Sequence, residues 1–197
     1  MKGQLDARFI CGASSAAQFP RLPYPEVAFC GRSNVGKSSL LNRLVGVRKL
    51  ARVSKTPGRT QQVNFFLVDN WVTFVDLPGY GFAQVPVAMQ RQWARLVESY
   101  FQQRSQLKLV VVLVDLRRGL EEEDRKLLDW LDALGRPFVL VATKADKTSQ
   151  SERVRGMRRL QEQLAGRSAE VLLSSAKTGE GIPDLWRVIK RYCAKGE

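Results

Sequence analysis

Apolar residues fall in short, nearly continuous runs separated by amphipathic stretches. The runs at Val27–Cys30, Val63–Val68, Val72–Val75, Leu107–Val114, Phe138–Ala142 and Val171–Leu173 are rich in Val. That pattern predicts strands, several of them buried on both faces. Between them, Lys37–Val45, Pro86–Gln103, Glu121–Leu134, Ser151–Leu164 and Pro183–Ala194 have helical character. The segment from Glu121 opens on Glu121, Glu122, Glu123 and Asp124, which suit the positive end of a helix, and Gly135 suits its stop. Residues 1–25 carry Pro20, Pro23 and Pro25 and cannot form one helix. They read as an N-terminal extension ahead of a domain over residues 26–197. Alternating strands and helices predict a three-layer α/β fold with a six-stranded, mostly parallel sheet. Right-handed crossovers bring the loops after the strands to one sheet edge, where ligands bind in such folds.

Composition narrows the choice of chemistry. The 197 residues contain no histidine, which excludes a Ser-His-Asp centre or a histidine base. Three cysteines, Cys11, Cys30 and Cys193, form no CxxC pair and suggest neither a disulfide framework nor zinc. Cys30, inside an apolar run, reads as a small buried hydrophobe. With no signal peptide and no apolar run near 18 residues, the expectation is a cytoplasmic protein with no membrane span. The net charge is +13, concentrated in residues 1–60, where 11 Lys/Arg face 2 Asp/Glu. Such a field attracts polyanions, RNA foremost.

The expected strand ends carry the candidate chemistry. The first runs into Gly31-Arg32-Ser33-Asn34-Val35-Gly36-Lys37-Ser38, followed by Ser39, a match to G-x-x-x-x-G-K-[ST]. Its glycines let successive N–H groups curl around a phosphate. Lys37 adds a charge on the β- and γ-phosphates, and the Ser38 hydroxyl can ligate Mg²⁺. The third strand ends in Asp76-Leu77-Pro78-Gly79. Asp76 can reach the Mg²⁺ shell through water, and the Gly79 N–H can approach a γ-phosphate. The fifth ends in Thr143-Lys144-Ala145-Asp146, the sixth in Ser174-Ser175-Ala176-Lys177. The Asp146 carboxylate matches the N1–H and 2-amino donors of guanine, which adenine lacks. The Lys144 stem can pack on the base. A backbone N–H of the Ser174–Lys177 stretch can meet the guanine O6. Their order predicts GTP rather than ATP, and argues against an ATP-dependent kinase.

These strings, together with Ser54-Lys55-Thr56-Pro57-Gly58-Arg59-Thr60-Gln61, Asn64-Phe65-Phe66 and Asp76-Leu77-Pro78-Gly79-Tyr80-Gly81, resemble the Ras-like P-loop GTPases of the TrmE–Era–EngA–EngB group. They are most similar to the EngB (YihA/YsxC) family of bacterial GTPases. The resemblance implies a Ras-like fold with one antiparallel edge strand, Val63–Val68, and an EngB-type GTPase domain over residues 26–197. It implies that Gly58, Arg59 and Thr60 belong to a nucleotide-sensing switch, with Thr60 joining Ser38 on Mg²⁺ when the γ-phosphate is present. From the residues alone, Thr56–Thr60 is a polar Pro-Gly turn. Lys37, Thr60 and Gly79 become the residues expected to serve hydrolysis. Asn34 resembles the asparagine that holds a K⁺ ion beside the phosphates in the wider group, which predicts K⁺-stimulated turnover; otherwise it caps the loop. The family is linked to assembly of the large ribosomal subunit and to cell division and septation.

Tyr80 departs from the Ras pattern, which has a water-orienting glutamine after the switch glycine. Slow intrinsic hydrolysis is therefore expected. Arg153, Arg155, Arg158 and Arg159, with Arg187, Lys190 and Arg191 and with Arg48, Lys49, Arg52 and Lys55, are candidates for an rRNA-facing surface. No DNA sequence reader is visible, and a monomer is expected. The competing reading is a GTP-controlled protein-binding module in cell division with negligible hydrolysis.

Overall fold

The structure is a computed structural model that describes residues 5–47, 50, 62–80 and 87–194. In chain order its elements are strands β1 (Ala7–Ala13) and β2 (Glu26–Gly31), helix α1 (Lys37–Val45), strands β3 (Val63–Val68) and β4 (Val72–Asp76), helix α2 (Val87–Gln103), strand β5 (Leu107–Asp115), helix α3 (Glu122–Ala133), strand β6 (Phe138–Thr143), helix α4 (Gln150–Gln163), strand β7 (Glu170–Leu173) and helix α5 (Ile182–Cys193). The strands form one sheet in the order β1-β3-β4-β2-β5-β6-β7. β2 pairs in parallel with β4 and β5, and β5-β6-β7 continue in parallel.

Side chains alternate between two apolar layers, as the period of a strand requires. Val27 and Phe29 of β2 pack with Leu40, Leu41 and Leu44 of α1 and with Leu185, Trp186 and Ile189 of α5. Ala28 and Cys30 face the other way, against a layer holding Tyr100 and Phe101 of α2, Leu128 and Leu131 of α3 and Leu160 of α4. Cys30 is buried as expected, and burial pushes its thiol up to about 12.

The sheet has seven strands where six were expected, and its edge differs. Residues 7–13, within the stretch read as an extension, pair antiparallel with β3, so Val63–Val68 lies one strand in from the edge and is nearly all buried. The edge strand escaped the sequence pattern because its side chains do not alternate cleanly. Phe9 is largely exposed, and a register irregularity between Phe9 and Cys11 breaks the period. The expected helix bounds differ from the observed ones by only a residue or so.

At the N-terminal end of β2, the fully buried Glu26 accepts hydrogen bonds from the Tyr100 hydroxyl (2.9 Å) and from Arg104 Nε (3.1 Å), and forms an ion pair with the same guanidinium. Arg104 also donates to the Pro20 carbonyl (2.9 Å) and lies over the rings of Phe19 and Phe65. This cluster fastens the end of α2 and the segment before β2 to the sheet, at the end away from the candidate site.

Candidate phosphate and guanine site

The expected strand-end loops meet at one edge of the sheet. β2 hands directly into the turn before α1. Gly31 admits no side chain, because a Cβ there would lie 2.7 Å from the Leu113 carbonyl oxygen. Asn34 (φ 61°) and Gly36 (φ 108°) take left-handed backbone angles that curl the loop. Gly36 is the N-cap of α1 and carries no side chain to satisfy its first-turn N–H groups. That leaves an electropositive helix end beside Lys37, the kind of place that holds an anion. Ser38 and Ser39 follow in the first turn.

Asp76 closes β4, which lies directly beside β2. Its carboxylate forms an ion pair with Lys37 Nζ, and both side chains are nearly buried. The chain continues along the loop: Leu77 N–H donates to the Phe29 carbonyl (3.0 Å), and Ser33 N–H donates to the Tyr80 carbonyl (3.0 Å). Pro78 and Gly79 lie between these anchors. A Cβ on Gly79 would come within 3.5 Å of Gly31 O and Ser33 N, so this stretch hugs the loop. The Tyr80 hydroxyl donates to Asp124 Oδ1 in α3 (2.8 Å).

The second half of the site is braced onto the first. Thr143 Oγ1 reaches the carbonyl of Val35 in the loop (2.7 Å) and that of Val114 (3.0 Å). Lys144 (φ 64°) sends Nζ to the Asn34 carbonyl (2.7 Å) and to the Asp115 carboxylate (3.1 Å). Ala145 N–H donates to the Ser174 carbonyl (3.1 Å), and Ser175 Oγ donates to Asp146 Oδ1 (2.6 Å). That hydroxyl holds the Asp146 carboxyl below its usual range, so it stays an acceptor. Ala176 is half-buried and Lys177 is exposed beside it. Gly58, Arg59 and Thr60 lie outside the described residues.

A family model described as "50S ribosome-binding GTPase" matches residues 26–144. A protein named "Probable GTP-binding protein EngB" from Solibacter usitatus is 47% identical over 185 residues, covering 94% of this chain and 95% of that one. Its namesake from Syntrophus aciditrophicus is 48% identical over 189 residues, covering 96% and 95%. The chain belongs to the EngB family of GTP-binding proteins. A crystal structure of an EngB protein overlays with TM-score 0.72 at 26% identity, over 86% of this chain and 99% of that chain. Aquifex aeolicus Era, crystallised with GDP and AlF₄⁻, overlays at TM-score 0.67 and 21% identity, over 87% of this chain and 57% of its own, and shares the fold. The architecture is the Ras-like P-loop GTPase fold.

Several residues of this EngB-family site gave no local signal. Asp115, at the end of β5, is gripped by Arg117 through Nε (2.9 Å) and NH2 (2.6 Å) as well as by Lys144. Burial raises the Asp115 carboxyl, but the hydrogen bonds from Arg117 and Lys144 outweigh it and hold it well below the usual range. Arg153 turns inward, donating to the Ala145 carbonyl (2.9 Å) and pairing with Glu180 (3.1 Å), while Arg43 donates to the Thr178 carbonyl (3.2 Å). Arg159 likewise donates to the Leu116 carbonyl (2.9 Å). Arg158 pairs with Glu162, Arg187 with Asp184 and Arg191 with Glu170. Arg155 and Lys190 are exposed. Arg48, Lys49, Arg52 and Lys55 lie outside the described residues. No helix among the described residues is long and apolar enough to cross a membrane.

Proposed function

We propose that this chain is a GTP-hydrolysing switch that works with Mg²⁺ in the cytoplasm and associates with the large ribosomal subunit during its assembly. The observation that carries this reading is the bracing of the Asp146 loop onto the Gly31–Ser38 loop through Thr143 and Lys144. This bracing supports a reading in which Asp146 receives guanine while the Gly31–Ser38 loop holds the phosphates.

Each residue then has a task. The loop N–H groups and the free end of α1 bind the β-phosphate. Lys37 exchanges its ion pair with Asp76 for the β- and γ-phosphates. Asp146 takes the two guanine donors, its lone pairs aligned by Ser175. The Lys144 stem covers the base plane, and Gly79 N–H meets the γ-phosphate. The Ser38 hydroxyl and the Asp76 carboxylate are hard oxygen donors on adjacent elements, which suits Mg²⁺, with Asp76 acting through water and Thr60 completing the set. When bound, the ion neutralises charge developing on the transferred phosphoryl group. Phosphoryl transfer needs this positioning more than a covalent catalyst. Tyr80 has no amide to orient a water, and its hydroxyl is already committed to Asp124, which favours slow intrinsic turnover. The Asn34 side chain is exposed on the loop and is the candidate K⁺ ligand.

The ribosomal part rests on the description of the matching family model and on the +13 charge; a role in cell division follows the same family. Co-sedimentation with purified large ribosomal subunits tests it, with GDP, a non-hydrolysable GTP analogue or no nucleotide, at low and moderate salt. Binding that is tightest with the analogue and survives moderate salt is expected. Binding that ignores nucleotide and disappears with salt would reduce the charge to a non-specific effect and favour the protein-binding module. GTP turnover in K⁺ against Na⁺, for wild type and Asn34→Ala, tests the cation; equal rates throughout would remove K⁺ from the mechanism.

A further inference from the structure

We infer that Asp124, acting through the Tyr80 hydroxyl, is a positioning residue that presents Gly79 to the γ-phosphate. This deepens the proposed GTPase reading and rests on it.

Tyr80 is held at three points by partners far away in sequence. Its N–H approaches the Gly31 carbonyl (3.4 Å), its carbonyl accepts from Ser33 N–H (3.0 Å), and its hydroxyl donates to Asp124 Oδ1 (2.8 Å). Arg32 and Tyr80 form a parallel bridge that extends the β2–β4 pairing past the strand ends. The Leu77 N–H bond to Phe29 fixes the other side, so Gly79 is suspended between two anchors.

Asp124 is itself held through both carboxylate oxygens. It is 1% exposed, and Oδ2 accepts from Glu121 N–H (2.9 Å) as half of the capping box that opens α3. One carboxylate oxygen therefore serves the helix and the other serves Tyr80. Burial pushes the Tyr80 phenol well up, so the hydroxyl remains a donor at neutral pH. The phosphate loop is tied to the same place, because Arg32 pairs with Glu121 and with Glu123 (2.9 Å). The N-terminus of α3 is thus a common frame for the loop that cradles phosphate and for the glycine that must read its third phosphate. A tyrosine where the Ras pattern has glutamine gives up water orientation and gains this tether.

The test compares affinities for GDP and for a non-hydrolysable GTP analogue, by fluorescence titration of labelled nucleotides, in wild type, Tyr80→Phe, Asp124→Ala and the double variant. Thermal melts check that each variant is folded. GDP affinity is expected to stay within about twofold, while analogue affinity falls about tenfold in each single variant, the scale of one hydrogen bond to a buried charge. The double variant is expected to be no worse than either single one, since both break the same tether. Equal losses for both nucleotides would make the pair merely structural. Unchanged analogue affinity, strictly additive losses, or tighter analogue binding would each overturn the inference, the last by making the tether a restraint on the GTP state. Failure of wild type to bind the analogue would instead bring down the GTPase reading beneath it.

Discussion

Arg104→Met should be among the most destabilising single changes in this chain, with little effect on nucleotide binding. Glu26 is fully buried and draws its partners from Arg104 and the Tyr100 hydroxyl. Removing the guanidinium strips a buried carboxylate of its counter-charge and leaves the phenol as its remaining partner. Breaking a buried pair in this way costs about 3–5 kcal/mol. The lost bond to Pro20 and the stacking over Phe19 and Phe65 add to this, while methionine keeps much of the apolar volume. At roughly 2–4 °C per kcal/mol for a chain of this size, the melting temperature should fall by about 10 °C. Urea unfolding at neutral pH gives the magnitude directly. The triple variant Glu26→Met, Tyr100→Phe, Arg104→Met should recover most of the loss, because it removes the stranded charge together with its partners. GDP affinity should hold in the folded single variant, since the cluster lies at the opposite end of β2 from Gly31. A loss below about 1 kcal/mol, or a triple variant as unstable as the single one, would refute the claim that an uncompensated Glu26 is the cause.

Two further outcomes follow from the charges at the site. Asp115 has a carboxyl held well below its ordinary value of 3.8. Its contribution to stability is therefore complete above that value and drains away as pH falls through and below it. Asp115→Asn should be less stable than wild type at pH 7, and the gap should narrow on acidification below about pH 4, read by urea midpoints across pH; a constant gap would argue against the ion pairs as the source. Asp146→Asn replaces an acceptor pair with a donor and an acceptor, leaving one oxygen to serve both Ser175 and the guanine donors. GTP affinity should drop at least 100-fold, while xanthosine triphosphate, whose 2-oxo group accepts a hydrogen bond, should gain relative to it. An unchanged ratio would mean that Asp146 does not face the base.

The sequence by itself determined the strand–helix alternation, the Gly31–Ser38 loop and the order of Asp76, Asp146 and the Ser174–Lys177 stretch. These are local properties: Val-rich runs exclude water on both faces, glycines permit left-handed turns, and each motif lies within a few consecutive residues. The edge strand at residues 7–13 was not legible, because only Ala13 in it is fully buried and its period is broken, so only pairing with β3 defines it. Tertiary structure also decided the use of charge. Arg153 and Arg159 look like a basic helix face in the sequence, yet they brace the carbonyls of Ala145 and Leu116. Thr143, Asp115 and Lys144 join the two halves of the site, and Tyr80 finds Asp124 across 44 positions. A side chain's type states what it can bond to, but only the packed chain brings the partner within about 3 Å, and partners on different elements leave no trace in any local pattern.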